Sequence, residues 1–79
     1  MSAIKNQLKF IRKQHKLSQQ ELAQLIGVRR ETIVHLENER YNPSLEMALK
    51  ISEHFNCPIE DIFQLKKKVK TTVIKQSLM

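Results

Sequence analysis

An arginine pair followed by an acid and, one helical turn on, a histidine forms a hydrogen-bonding set suited to polar edges. Arg29-Arg30-Glu31 and His35 are such a set. The guanidinium fork matches two acceptors in one plane, such as guanine O6 and N7, so Arg30 is the first candidate for reading a base. Glu31 can accept from a cytosine amine, and His35 can reach a base edge or a phosphate. Solvated surface charge is the competing reading for Arg29, Arg30 and Arg40. Other chemistry is thin. His54-x-x-Cys57 offers two metal ligands, but a zinc site needs four, and His15 and His35 lie on other elements. Cys57 reads better as a small buried hydrophobe or an interface residue. No serine, histidine and acid share a nucleophile scaffold, and a chain with one glycine has no glycine-rich phosphate loop. No metal, no cofactor and no enzymatic activity are expected.

The elements that must hold this set can be read from spacing and caps. From Lys5 to Lys16, Leu8 and Ile11, preceded by Ile4, follow helical spacing and predict a first helix. Ser18-Gln19-Gln20-Glu21 is a capping box, in which the Ser18 hydroxyl and the Glu21 carboxylate each satisfy an orphan backbone N–H. The second helix it opens carries Leu22, Ala23, Leu25 and Ile26 and stops at Gly27, which can take the left-handed conformation. Ile33 and Leu36 mark a third helix ending near Asn38. Ser44 caps a fourth, with Leu45, Ala48, Ile51, Ser52 and Phe55 on its core face. Pro58 suits the first position of a short fifth helix, with Ile59, Ile62 and Phe63 buried.

Two short helices joined by a tight glycine turn make a helix-turn-helix. Ala23 is small where helices two and three would cross, and Leu22, Ile26, Val28, Ile33 and Leu36 fall at inward positions. In that geometry the first turn of the third helix faces bases. Gln19, at the start of the second helix, faces a phosphate, because orphan N–H groups there favour anions. Asn38, Arg40 and Tyr41, after the third helix, would flank the nucleic-acid backbone.

Asn6 to Arg12, Leu17 to Ala23, Ile26-Gly27-Val28, Ile33, Leu36-Glu37-Asn38 and Asn42 to Leu45 closely resemble the Cro/repressor-type regulators, also called the xenobiotic-response-element family. The resemblance runs from about Asn6 to Leu65 and is to the short stand-alone members. It implies an all-α, five-helix bundle whose helices two and three form the helix-turn-helix. It also implies a homodimer on a palindromic operator in double-stranded DNA, usually repressing transcription. By the same resemblance Arg12 and Glu37 form a partly buried ion pair that fixes the third helix. Arg29 replaces the family's small N-cap, which points it to a phosphate, and Glu39 stands where the family often has glycine.

The chain has 79 residues and a net charge of +6, below the usual size of one domain. Residues 1–65 are read as the DNA-binding domain and 66–79 as a basic tail. The charge is uneven: +4 over residues 1–41, −3 over 42–65 and +5 over 66–79. Val69, Thr71 and Val73 alternate with Lys70, Thr72 and Ile74. A short β-strand pairing near Ile4 or with another chain, and a frayed tail, both remain open readings. The single cysteine fits a reducing compartment. No secretory leader is visible, no run reaches the roughly 20 apolar residues of a membrane span, and the cytoplasm is expected. Asn56, Cys57, Pro58, Ile59, Phe63 and Leu65 are the candidate dimer interface, with 69–74 as a strand addition. Two rivals use the same fold: an antitoxin that binds a partner protein and autoregulates its operon, and a coactivator that bridges proteins.

Overall fold

The chain enters the fold as a strand. In the computed structural model, which describes residues 3–66, β1 (Ile4–Asn6) pairs antiparallel with β2 (Phe63–Leu65). The register sets Ile4 against Leu65 and Asn6 against Phe63. This pairing removes Ile4 and Lys5 from the first helix, so α1 spans only Leu8–Gln14 and not Lys5 to Lys16. Local bonds explain the late start. Asn6 Oδ1 accepts from the Leu8 N–H at 3.1 Å, and the Gln7 N–H donates to the Ile62 carbonyl at 2.9 Å. At the far end Lys16 turns left-handed, with φ 57°.

Next comes α2 (Gln19–Ile26), opened by the capping box in both directions. The Glu21 N–H donates to Ser18 Oγ at 3.0 Å, and the Ser18 N–H donates to Glu21 Oε1 at 2.8 Å. Gly27 ends it at φ 85°, a left-handed conformation that glycine adopts at no Cβ cost. Then follow α3 (Arg30–Glu37), α4 (Leu45–Phe55) and α5 (Ile59–Ile62). Ser44 Oγ caps α4 by accepting from the Met47 N–H at 3.1 Å. Pro58 is the N-cap of α5, one position earlier than expected, and α5 is a single turn.

Among the described residues the architecture is therefore five helices with a two-stranded sheet. Leu22, Ile33 and Leu36 are fully buried beside Ala23, whose lack of bulk lets α2 and α3 cross closely. Each such aliphatic side chain contributes about 1.5–3 kcal/mol on burial. Ile26 is buried and Val28 packs on the core from the turn. Leu45 departs from expectation: it is 73% exposed, because it occupies the first position of α4, ahead of the stretch that meets the core at Ala48, Ile51 and Phe55. Phe63 is buried as expected, but on β2 and not on a helix.

The expected strand over 69–74 lies outside the described residues. The strand beside Ile4 comes from Phe63–Leu65, directly after α5. The fold also continues past residue 65. The Lys66 N–H donates to the Ala3 carbonyl at 3.0 Å, and Lys66 Nζ lies 3.2 Å from Glu39 Oε1. Among the described residues no helix is long and apolar enough to cross a membrane.

Candidate nucleic-acid interface

The outer side of α3 carries Arg30, Glu31 and His35, all exposed, with Arg29 and Asn38 exposed at its two ends. Arg29 holds the N-cap position in an extended conformation and makes no side-chain cap bond. Its guanidinium is thus left to other partners, while the first N–H groups of α3 lack the oxygen that serine would have supplied. Arg40 is exposed beyond the helix.

One chain of hydrogen bonds ties this surface to the interior. Arg12 Nε donates to Glu37 Oε2 at 2.6 Å and Nη2 donates to Glu37 Oε1 at 3.1 Å. The two side chains are only 8% and 2% exposed. Arg12 Nη1 donates to the Leu17 carbonyl at 2.8 Å, so all three nitrogens of the guanidinium have partners. Gln19 Nε2 donates to Glu37 Oε1 at 3.1 Å, and Gln19 Oε1 accepts from Arg30 Nη2 at 3.4 Å. Charge-assisted, fork-like bonding fixes geometry as well as energy. The result orients α3 against α1 and α2. Among the described residues no buried side-chain polar atom lacks a partner.

A second cluster secures the other end of α3. Asn6 Nδ2 donates to the Leu36 carbonyl at 2.9 Å, and the Asn6 N–H donates to Glu39 Oε2 at 3.1 Å. Glu39 itself is left-handed, with φ 57°, which explains why glycine suits this position. Here the acid is retained and clips the sheet to α3. The bond from the Asn6 N–H, with help from Lys66 and Lys5 and against partial burial, holds the Glu39 carboxyl below its ordinary value. Only the glycine resemblance marked this site in the sequence, because Asn6 and Lys66 come from opposite ends of the described chain.

The expected backbone contacts separate into two groups. Gln19, Arg29, Asn38 and Arg40 border α3 with polar groups at least partly open to solvent. Tyr41 is half-buried, and its hydroxyl donates to the Thr32 carbonyl at 3.1 Å. Its only hydrogen is therefore committed, and a phosphate, which only accepts, has nothing to take from it. Burial raises the Tyr41 pKa, partly offset by the Thr32 bond. Tyr41 is better described as a brace on α3.

The expected interface residues also divide. Asn56, Pro58 and Leu65 are exposed, and Cys57 and Ile59 are half-buried against the core. Phe63 is 7% exposed and faces the core, which takes it out of any surface contact. Among the described residues no three histidine, cysteine or acidic side chains cluster so as to hold a metal ion.

Val34 carries no signal of its own in the sequence, because an isolated valine reads as core. It lies on the same outer side of α3 as Arg30, about 40° away at 3.6 residues per turn. A helical wheel would have found it.

A family model described as helix-turn-helix matches residues 8–62. An uncharacterised HTH-type transcriptional regulator of Archaeoglobus fulgidus is 52% identical over 60 residues, covering 76% of this chain and 84% of that protein. Another, YgzD of Bacillus subtilis, is 39% identical over 64 residues, covering 81% of this chain and 97% of its own. A crystallised protein of Bacteroides fragilis shares the fold, with a TM-score of 0.69 at 23% identity, over 77% of this chain and 98% of its own.

Proposed function

This chain belongs to the helix-turn-helix family, as a short Cro/repressor-type DNA-binding transcriptional regulator and not an enzyme, and on that premise we propose that it represses transcription as a homodimer on a palindromic operator. The proposal places α3 in the major groove and the chain in the cytoplasm. The observation that carries it is the exposed Arg30–Glu31–His35 surface held on a helix anchored by the buried Arg12–Glu37 pair. Arg30, Glu31 and His35 read base edges; Gln19, Arg29, Asn38 and Arg40 contact phosphates. Asn56, Cys57, Pro58, Ile59 and Leu65 form the dimer contact, because a domain this small reads one half-site and needs a second copy for specificity.

The test is selection of bound duplexes from a random pool at near-physiological salt. The reading requires a two-fold symmetric motif with half-sites about 34 Å apart. Arg30→Ala must then weaken binding by about 1–3 kcal/mol and relax one base position. Enrichment of nothing beyond a salt-sensitive background overturns it. A second reading, an antitoxin-type module with a protein partner, is favoured by Leu25, Leu45 and Leu49, large apolar side chains exposed on α2 and α4. Its test is recovery of one co-purifying protein that is lost on Leu45→Ser/Leu49→Ser substitution.

A further inference from the structure

Val34 is the one apolar residue on the outer side of α3. Arg30 stands one turn before it, Glu31 three residues before, His35 next to it and Asn38 one turn after. At 3.6 residues per turn it points about 160° away from the buried Leu36. It is half-buried, yet it is absent from the side chains that pack on the core, where Val28, Ile11 and Leu17 appear. Its partial cover therefore comes from outside the core cluster. A valine cannot hydrogen-bond a base. The only base feature in the major groove that it can recognise is the C5-methyl group of thymine.

We propose that Val34 is a specificity determinant that packs on a thymine C5-methyl group, within or beside the base pairs met by Arg30 and Glu31. This rests on the placement of α3 in the major groove proposed above. Arg30 and Glu31 discriminate by donors and acceptors, and Val34 adds an apolar criterion that separates thymine from cytosine at a neighbouring position. The gain comes from removing two apolar groups from water together, with no hydrogen bond to align.

The experiment uses the full chain and the selected duplex, with each thymine replaced singly by deoxyuridine, which lacks only the methyl. Wild-type binding should weaken about three- to fivefold at one thymine per half-site, the effect of one buried methyl group. Val34→Ala should bind the parent duplex less tightly and be indifferent to that same replacement. Val34→Thr, which keeps the shape and one of the two methyl groups, should retain part of the methyl sensitivity. Thermal melting of each variant checks that the fold is intact. If Val34→Ala senses the methyl as strongly as the wild type does, or if the wild type senses no thymine methyl, the proposal is overturned. In that case an unchanged effect of Arg30→Ala would show that α3 docking itself survives. If no motif is selected and Arg30→Ala has no effect, both readings fall together.

Discussion

Arg12→Met removes the cation from a carboxylate that has almost no access to water. Glu37 then loses the bonds at 2.6 and 3.1 Å and keeps only the Gln19 amide at 3.1 Å. The Leu17 carbonyl loses its Arg12 donor as well. Breaking a buried pair from one side costs about 3–5 kcal/mol. A chain of 79 residues has a total stability of about 4–12 kcal/mol, so the variant should lose a large share of it and unfold outright at the low end of that range. The double substitution Arg12→Met/Glu37→Leu behaves differently. It leaves no charge to compensate, and its remaining cost is the unpaired Gln19 amide and Leu17 carbonyl, about 1–3 kcal/mol for a buried group. The double variant should therefore be more stable than Arg12→Met alone. Urea unfolding followed by helical circular dichroism measures this, with a slope of about 1 kcal/mol per M for so small a domain. Arg12→Met should move the midpoint down by about 3 M or abolish the transition. A shift under about 1 M, or a double variant as unstable as the single one, would refute the reasoning, because Glu37 would then be solvated when alone.

Two further outcomes follow from the backbone. Gly27→Ala should cost about 1 kcal/mol in thermal melting, because the added Cβ meets nothing within 4 Å and only the left-handed φ of 85° is unfavourable; a loss above about 3 kcal/mol would reveal a hidden clash. Glu39 has its carboxyl held below the ordinary value, chiefly by the Asn6 N–H, so its folded pKa lies below its unfolded one. The stability it contributes is complete above the unfolded value, about 4.3, and is lost as pH falls through the lower folded value. Glu39→Gln should flatten that part of the acid denaturation curve, and an unchanged curve would remove Glu39 from the clip.

The parts of the fold legible in the sequence were those set by neighbours in the chain. Ser18 and Glu21 satisfy each other three residues apart, and Gly27 ends α2 by its own conformation, so α2 could be bounded without a structure. The start of α1 could not be. Ile4 and Lys5 fit its helical spacing, but their strand partners, Leu65 and Gln64, come from the far end of the described chain. The same distance concealed the Glu39 clip, whose partners Asn6 and Lys66 flank the sheet. Leu45 matched the core period of α4, yet period alone does not say where a helix leaves its neighbours. Position alone points Tyr41 at the DNA backbone, and only the Thr32 bond shows where its hydrogen goes.

The bond chain from Arg12 through Glu37 and Gln19 to Arg30 links the residues that hold the fold to the residue proposed to read a base. Its links weaken outward, from 2.6 Å inside to 3.4 Å at the exposed Arg30. A short charge-assisted bond between buried groups fixes the helix, whereas a long bond between exposed groups can be exchanged for a base at little cost. Substitutions at Arg12 and Glu37 should therefore act first on folding, and on the proposed reading those at Arg30 should act on recognition alone. Gln19 stands between the two. Its amide nitrogen serves the buried acid while its oxygen orients the arginine, so Gln19→Ala should weaken both modestly.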